Sequence, residues 1–174
     1  MLQVIYLLDA NTLIDAKRDY FEFERVPEFW EWLQHQGGQG SVKIPVEIYE
    51  EFEEAKNADG KRDPLSEWAS DDEVRNVLLL SEEVDPKIVS RIISHGYCPD
   101  PTDQEIEKIG RDPFLIAHAF RDSESRVVVT TETSRPKKLR ANRKVPDVCR
   151  DMGIRCINSF QLLRELDFKT GWKK

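Results

Sequence analysis

The sequence has no apolar stretch long enough to cross a membrane, few cysteines, and little glycine or proline. Of its 174 residues, 3 are cysteine, 8 are glycine and 9 are proline. No apolar run reaches the roughly 18 residues that a transmembrane helix needs. The odd cysteine count, without a CxxC pair, argues against a disulfide framework and predicts reduced thiols. Because no basic, cleavable leader is recognisable either, we expect a cytoplasmic protein with one domain over residues 1–174.

Several common catalytic motifs are also missing. The glycine-rich stretch GGQG, at residues 37–40, lacks the Lys and Ser or Thr of a phosphate-binding P-loop. The histidines His35, His95 and His118 are too scattered for a zinc site. His118 lies in an apolar helix pattern, which predicts a hydrogen-bonded core residue. A haloacid-dehalogenase-type phosphatase needs a second Asp two residues after the first, and here that position holds Asn11.

The charge is distributed unevenly along the chain. Residues 1–120 carry 12 basic and 26 acidic side chains, whereas residues 121–174 carry 14 basic and 7 acidic ones. The sequence RPKKLRANRK at residues 135–144, which we call the basic segment, contains six cations and no anion. The net charge of −7 argues against bulk nucleic-acid binding. The basic segment nevertheless predicts a local patch for an anionic partner.

Short apolar runs alternate with amphipathic stretches along the chain. The runs predict four buried strands, at residues 3–8, 41–44, 127–130 and 154–157. The stretches predict helices that include residues 46–57, 71–80 and 112–122, with an extra helical insertion at about 60–108. Asn11 or Thr12 is expected to cap the first helix and Ser159 the last. This order predicts a three-layer α/β/α sandwich with a central, mostly parallel sheet of four or five strands.

Acidic side chains lie at the predicted carboxyl ends of the strands. Asp9 comes directly after the first strand, and Glu132 lies just beyond the third. Four further acids begin helices that pack on the sheet: Glu47, Glu50, Glu51 and Asp112. Parallel sheets bind ligands beyond the carboxyl ends of their strands. Clustered carboxylates need cations, and oxygen ligands suit Mg²⁺ or Mn²⁺, so the pattern predicts a metal site for phosphodiester hydrolysis.

Four motifs resemble those of PIN-domain nucleases and occur in the same order. YLLDANTLIDA resembles the opening motif, a strand that ends in Asp-x-Asn, and IYEEF resembles the second acidic motif. RDPFLIAHA resembles the central motif, an Asp that leads an apolar helix, and VVVTTE resembles the strand that ends in Thr and a fourth acid. KVPDVCRDMGI is similar to the C-terminal part of PIN-like proteins related to VapC-type toxins. The resemblance covers essentially the whole chain.

The resemblance implies a Mg²⁺- or Mn²⁺-dependent ribonuclease with a specific set of site residues. Four acids match the catalytic and metal-binding positions: Asp9, Glu51, Asp112 and Glu132. Glu51 is preferred to Glu47 and Glu50 because Phe52 follows it, as the family pattern requires. The fourth position holds Glu instead of the commoner Asp, so Asp147 is kept as an alternative or additional metal ligand. Two polar residues match those that support such a site, Asn11 and Thr130.

The resemblance to VapC-type toxins also implies partners. A toxin of a toxin–antitoxin pair would cleave RNA, form a homodimer and be inhibited by an antitoxin protein. The homodimer prediction depends on four aromatics that are expected near the surface: Phe21, Phe23, Trp30 and Trp172. Phe21 and Phe23 could instead stack on RNA bases, although a core or dimer contact is favoured.

The basic segment lies between Glu132 and Asp147 in the sequence, so we expect it beside the acidic edge of the sheet. Its six cations are candidates for contacts with RNA phosphates: Arg135, Lys137, Lys138, Arg140, Arg143 and Lys144. A solvated surface loop is the alternative for this segment. A different function also stays open for the whole chain, namely a PIN fold that binds proteins with weak or no catalysis. Binding of Mn²⁺ that depends on Asp9 would distinguish the enzyme from that module.

Overall fold

The fold centres on one parallel sheet, which the computed structural model shows within the described residues 2–53 and 55–174. The sheet has five strands: β1 (Ile5–Leu8), β2 (Val42–Pro45), β3 (Leu79–Leu80), β4 (Arg126–Val129) and β5 (Cys156–Ile157). Their spatial order is β3-β2-β1-β4-β5, and each neighbouring pair is parallel. The chain therefore extends the sheet first on one side of β1 and then on the other. Ligands of such sheets bind where the order reverses, here beside β1 and β4.

Helices flank the sheet and complete the three-layer α/β/α sandwich that the sequence predicts. They are α1 (Ala10–Asp15), α2 (Pro27–Gly38), α3 (Val46–Glu53), α4 (Pro64–Ala69), α5 (Asp72–Leu78), α6 (Pro86–Arg91), α7 (Asp103–Ile109), α8 (Asp112–Phe120), α9 (Val145–Asp151) and α10 (Ser159–Glu165). π-helical turns continue α1 over Ala16–Tyr20 and α6 over Ile92–Tyr97, and a 3-10 turn covers Arg140–Asn142. Among the described residues, no helix is both long and apolar enough to cross a bilayer.

The central strands are buried because their side chains are almost all apolar. Every residue of β4 is buried, and so are Leu7 and Leu8 at the end of β1. The strongly apolar α8 contacts β1, β2 and β4, which holds this helix against the middle of the sheet. This packing places the first residue of α8, Asp112, close to the acids that follow the strands.

The strand β3 differs from the prediction of a continuous helix over residues 71–80. Helix α5 ends at Leu78, and the next two residues pair with β2 through the partners Ile44–Leu79 and Pro45–Leu80. A run of leucines fits either state, and the open edge of β2 decides in favour of a strand.

The helix predicted over residues 46–57 is described only as far as Glu53. Glu54 lies outside the described residues, and Lys56 forms an antiparallel bridge with Arg62. The polar residues 57–61 between them close a turn, in which Asn57 accepts a backbone hydrogen bond from Gly60. The helical prediction was therefore wrong for its last residues.

The predicted helix caps were wrong at both ends of the chain. The side chain of Asn158, rather than that of Ser159, caps α10 by accepting a hydrogen bond from the backbone of Gln161. Asn11 and Thr12 lie inside α1, whose N-cap position is Asp9. The Asp9 side chain makes no standard cap hydrogen bond there, although the backbone N–H groups of Ala10 and Asn11 favour its charged form.

The aromatics that were expected near the surface pack inside the molecule. Phe21 stacks on Phe29 with ring centroids 4.3 Å apart, and Phe23 stacks on Trp30 at 4.0 Å. Trp172 Nε1 donates a hydrogen bond to a backbone carbonyl of α2 at 3.1 Å. These contacts occupy the side chains on which the predictions of base stacking and of a dimer contact depended.

Candidate metal centre

Asp9 and Thr130 meet where the strand order reverses. They follow β1 and β4, whose pairing ends at Leu8 and Val129. Thr130 Oγ1 donates a hydrogen bond to Asp9 Oδ2 at 2.7 Å, and Asp9 is only 3% exposed. Thr12 Oγ1 donates to the Val129 carbonyl at 3.2 Å, which ties α1 to the end of β4. The Asp9 carboxylate is therefore held in a buried position at the centre of the carboxyl edge.

Three carboxylates near this edge have raised pKa values. Burial raises the pKa of Asp9 to about 6, and the Glu132 carboxylate adds to the rise while Thr130 opposes it. Desolvation and the Asp9 carboxylate raise the pKa of Glu51 to about 7. Burial, with repulsion from Asp9, Glu132 and Glu51, raises the pKa of Asp112 to about 8. We call Asp9, Glu51 and Asp112 the acidic cluster.

Hydrogen bonds distinguish the three glutamates of α3. Glu47 Oε2 lies 3.0 Å from Nε2 of the fully buried His118, which is thus the hydrogen-bonded core residue that the sequence predicts. Glu50 Oε2 accepts a hydrogen bond from Arg111 at 2.7 Å. Glu51 has no hydrogen bond or ion pair with any side chain in the part of the chain that the structure describes. The structure therefore groups Glu51, and neither of its neighbours, with the acidic cluster.

Glu132 lies beside the acidic cluster but has its own partners. Lys144 Nζ donates to Glu132 Oε1 at 3.0 Å, and the Val145 backbone N–H donates to Oε2 at 2.8 Å. The Glu132 N–H donates to Thr130 Oγ1 at 3.1 Å, so the same hydroxyl connects Glu132 with Asp9. Lys144 also favours the charged form of Asp112, but burial and repulsion from the neighbouring carboxylates outweigh this effect, and the pKa of Asp112 stays raised. The charge of Glu132 is thus already compensated by a lysine.

Asp147 does not join these carboxylates. It is almost completely buried, and its two oxygens accept hydrogen bonds from the Ser134 hydroxyl and, at 2.7 Å, from the Arg135 backbone. These hydrogen bonds and the nearby Arg150 hold the pKa of Asp147 below its usual value despite burial. Because both oxygens are used to fix the turn before the basic segment, we remove Asp147 from the candidate metal ligands.

The six cations of the basic segment fall into two sets. Arg135, Lys137 and Lys138 are exposed and form no ion pair with any described residue. The other three are engaged by carboxylates: Arg140 by Asp100 and Glu105, Arg143 by Asp151, and Lys144 by Glu132. The predicted contacts with RNA phosphates therefore divide between three cations without an ion pair to a described residue and three that share a carboxylate.

Two clefts lie near the acidic cluster. One, of about 270 Å³, is lined by the acids Asp112 and Glu132 and by cations that include Arg135 and Lys138. We call it the acid–base cleft. The second, of about 450 Å³, is lined by Thr130 and Glu132 and by a pair of exposed aromatics, Tyr20 and Phe160. Their rings pack edge to face with centroids 5.2 Å apart, and they are 52% and 46% exposed.

The donor chemistry of the acidic cluster suits Mg²⁺ or Mn²⁺, because the donors are all carboxylate oxygens. Over residues 2–53 and 55–174, no group of three or more His, Cys, Asp or Glu side chains is arranged closely enough to hold an ion. Mg²⁺ typically keeps several of its waters and is held through one or two carboxylates. The arrangement therefore fits a partly hydrated ion bound at the edge of a cleft better than an enclosed one.

Comparison with known proteins places the chain in a family. Residues 6–170 match the family described as a domain of unknown function (DUF4411). The chain belongs to the DUF4411 family. The match includes the acidic cluster, both clefts and the basic segment, so the candidate site lies within the part that defines DUF4411. No curated protein and no solved structure matches the chain.

Three residues of this DUF4411 site escaped the sequence analysis. Arg111 donates to the Glu47 carbonyl and to Glu50, and so connects α8 with α3. Thr12 joins α1 to β4, and Tyr97 lines the acid–base cleft. The position of Arg111 directly before Asp112 could have suggested a role, whereas nothing in the sequence around Tyr97 distinguishes it from a core aromatic. Asn11, which the PIN-like motif assigns to the site, is exposed on the first turn of α1.

Proposed function

We propose that the chain is a PIN-like, divalent-metal-dependent endoribonuclease that hydrolyses phosphodiester bonds of RNA. The acidic cluster carries this proposal. Three carboxylates from distant parts of the sequence are crowded at the reversal point of the sheet, and their pKa values are raised to about 6, 7 and 8. Crowded, desolvated carboxylates destabilise a fold unless a cation compensates them. A bound divalent cation is the simplest compensation, and phosphate chemistry is the common use of such a site.

Each residue of the site has a distinct part in this proposal. One or two of the carboxylates of Asp9, Glu51 and Asp112 would bind a Mg²⁺ or Mn²⁺ ion directly, and the cluster would otherwise contact the waters of the ion. Thr130 fixes the orientation of the Asp9 carboxylate through Oδ2. Glu132 holds Lys144 next to the cluster, where its ammonium group can face a phosphate. The ion itself would supply an activated water and neutralise charge that develops on the phosphate during hydrolysis.

The distribution of charge and aromatics supports single-stranded RNA as the substrate. Arg135 and Lys138 line the acid–base cleft, and both are free of ion pairs with described residues. Such cations hold the phosphate backbone and carry no base specificity. The exposed Tyr20 and Phe160, beside the other cleft, offer ring faces on which an unpaired base can stack. They take the place of Phe21 and Phe23, which are half-buried and stacked on other aromatics, in the predicted role of base contacts.

One observation favours the second candidate, a protein-binding module with weak or no catalysis. Lys144 already neutralises Glu132 without any metal, so the fourth carboxylate of the PIN-like motif is satisfied within the protein. The two candidates differ in one property of the remaining acids. An enzyme keeps Asp9, Glu51 and Asp112 available for an ion, whereas a module needs none of them.

The toxin role, the antitoxin partner and the homodimer stay predictions within this proposal. The four aromatics on which the homodimer prediction depends pack intramolecularly, so they no longer support it. A cytoplasmic location is also part of the proposal, and it agrees with the free state of Cys98, Cys149 and Cys156.

Cleavage of a labelled single-stranded RNA in Mn²⁺ tests the proposed function. Wild type should cleave, chelator should abolish cleavage, and Asp112→Asn and Glu51→Gln should each reduce it strongly. Glu50→Gln is the matched control, because Glu50 belongs to the same helix but is held by Arg111, and this variant should retain activity. A purified wild type that binds no Mn²⁺ and cleaves no RNA would instead support the protein-binding module.

A further inference from the structure

Arg111 lies directly before Asp112 in the sequence and reaches across to the helix that carries Glu51. Its Nη1 donates hydrogen bonds to the Glu47 carbonyl at 2.5 Å and to Glu50 Oε2 at 2.7 Å. Both acceptors belong to α3, whereas Arg111 occupies the N-cap position of α8. One side chain therefore joins the start of the helix of Asp112 to the helix of Glu51.

The hydrogen bond to the Glu47 carbonyl acts on the part of α3 that carries Glu51. In an α-helix each carbonyl accepts the N–H of the residue four positions later, so the Glu47 carbonyl faces the Glu51 N–H. Arg111 thus holds the turn of α3 from which the Glu51 side chain extends. On the buried side of the same contact, His118 Nε2 lies 3.0 Å from Glu47 Oε2. The helix α8 is therefore attached to α3 at two points, which fixes the angle between the helices as well as their distance.

The main chain of Arg111 is also held in a defined position. A single residue, Gly110, separates α7 from Arg111, and its φ of +59° lies in the left-handed region that favours glycine. The carbonyl of Arg111 accepts a hydrogen bond from the backbone N–H of Phe114 at 3.0 Å and so begins α8. The backbone of Arg111 is thus fixed by α8 while its side chain is fixed by α3.

Repulsion between Glu51 and Asp112 opposes the packing of their two helices. Burial and repulsion from acids that include Glu51 raise the pKa of Asp112 to about 8. When both carboxylates are ionised, their repulsion favours a movement of α3 away from α8, which would separate the donors of a cation site. The Arg111 and Glu50 side chains are 42% and 54% exposed, and an ion pair this exposed adds little to stability. The main effect of Arg111 is therefore on the geometry of the contact.

We propose that Arg111 is a positioning residue, which holds the carboxylates of Glu51 and Asp112 so that they share, directly or through its waters, one partly hydrated divalent cation. This inference rests on the metal centre of the proposed function. The charge of Arg111 has the opposite effect, because it acts on Glu51 and a cation there repels a second cation. Loss of the charge alone would strengthen Mn²⁺ binding, whereas loss of the positioning weakens it. The sign of the change therefore distinguishes the two effects.

Calorimetric titration of wild type, Arg111→Gln and Arg111→Lys with Mn²⁺ measures this sign. The titration is made without oxygen at pH 8.5, above the raised pKa values of Glu51 and Asp112, and below the melting temperature of each variant. Arg111→Gln should bind Mn²⁺ about tenfold more weakly than wild type, as loss of a residue that orients metal ligands typically does. Arg111→Lys should bind nearly like wild type, because one nitrogen of Arg111 makes both hydrogen bonds and an ammonium group with three donors can replace it.

Arg121→Gln is the matched control, because it removes an exposed, ion-paired arginine from the other end of α8, and its Mn²⁺ affinity should equal that of wild type. Arg111→Met, which keeps the apolar part of the side chain, replaces Arg111→Gln if that variant does not fold. An Arg111→Gln variant that melts lower than wild type in chelator but binds Mn²⁺ equally well or more tightly would overturn the inference and leave the proposed function intact. Binding by Arg111→Lys as weak as that by Arg111→Gln would overturn it too. If wild type binds no Mn²⁺, the proposed function fails together with the inference.

Discussion

Two groups of carboxylates in this protein have opposite electrostatic environments. In the acidic cluster, Asp9 and Asp112 lie among other acids, and their pKa values are raised to about 6 and 8. Around the basic segment, the guanidinium of Arg140 and the backbone of Thr102 lower the pKa of Glu105 to about 2. Asp147, also beside that segment, has a lowered pKa because the Ser134 hydroxyl, the Arg135 backbone and nearby arginines favour its charged form. The two groups therefore differ in their surroundings: desolvation and neighbouring acids raise the first set of pKa values, and cations and hydrogen-bond donors lower the second.

The difference shows which acids have a structural task and which are left for a ligand. Asp147 and Glu105 are engaged by hydrogen bonds: Asp147 fixes the start of the basic segment at Arg135, and Glu105 fixes its middle at Arg140. The acidic cluster includes carboxylates that repel one another and are not neutralised by close ion pairs. The binding of a cation is most favourable at such a place, because it relieves the repulsion between the carboxylates and also forms new bonds to them.

The largest effect that we expect from this contrast is a loss of stability in Asp147→Ala. The substitution leaves the Ser134 hydroxyl and the Arg135 backbone without their acceptor, which should lower the free energy of unfolding by about 2–3 kcal/mol. Urea denaturation in chelator measures the change. Replacement of the exposed Glu107 by Ala on α7 provides the control and should change stability little. An Asp147→Ala variant as stable as wild type would show that Asp147 has no structural task.

A change of opposite sign is expected for Asp112→Asn in the same denaturation experiment. Removal of one charge from the acidic cluster relieves repulsion, so the metal-free variant should be more stable than wild type at pH 8, by about 1 kcal/mol or more. Addition of Mn²⁺ should stabilise wild type and leave the variant unaffected. A variant that melts well below wild type would make Asp112 a structural helix residue instead of a ligand.

The sequence predicted the layers of the fold better than its edges. The buried runs of β1 and β4 are short, continuous and rich in β-formers, and these features together favour strands over helices. By contrast, β3 consists of two residues that become a strand only because β2 offers an open edge. The predicted helix caps were wrong for a similar reason. Several polar residues near the start of a helix can occupy the N-cap position, and the backbone conformation determines which of them does so.

The candidate site could be predicted in part, for reasons visible in particular residues. Asp9 and Glu132 were found because they follow strands, and the rule for parallel sheets brings such positions to one edge. The choice between Glu132 and Asp147 could not be made, since it depends on hydrogen bonds from Ser134 and Arg135 that the sequence does not reveal. Arg111 was missed because its significance lies in two hydrogen bonds to α3, which only a structure shows.

The pH dependence of stability offers a third test of the contrast. In the acidic cluster the folded pKa values exceed the unfolded ones, so the folded state holds the extra protons and stability falls as the pH rises towards 8. The lowered pKa values of Asp147 and Glu105 add stability that is already complete well below neutral pH. The lowered pKa of His118 has the opposite effect and makes stability rise with pH. This effect is confined to the range below about pH 6.5, where the imidazole of the unfolded state takes up a proton.

Between about pH 6.5 and 8 the acidic cluster therefore dominates the change of stability with pH. The melting temperature of metal-free wild type should decrease across this range, and that of Asp112→Asn should decrease less. Mn²⁺ should reduce the decrease in wild type, because it stabilises the ionised carboxylates. Identical pH profiles of wild type and Asp112→Asn in chelator would contradict the raised pKa of Asp112.

The smallest effect concerns the two sets of cations in the basic segment. Replacement of Arg135, Lys137 and Lys138 by Gln removes three cations that have no ion pair with a described residue. Each lost contact with single-stranded RNA should flatten the slope of log affinity against log salt by about 0.7, so the triple variant should lose about 2 units. Filter binding in Ca²⁺ over a salt series measures this slope.

Arg140→Gln is the matched control for that experiment, because its guanidinium is already engaged by Asp100 and Glu105. Its salt slope should stay close to that of wild type. If the triple variant keeps the wild-type slope, RNA binds elsewhere and the basic segment is a solvated loop.

The central claim is that the acidic cluster binds a partly hydrated divalent cation through one or two of its carboxylates, and calorimetric titration with Mn²⁺ tests it most directly. Wild type should bind Mn²⁺ near neutral pH and release protons, because Glu51 and Asp112 are partly protonated there. The measured heat should therefore change between buffers of different ionisation enthalpy. Glu50→Gln should behave like wild type, and Asp112→Asn should lose binding. Absence of binding to wild type at millimolar Mn²⁺, or equal binding by Asp112→Asn, would contradict the account.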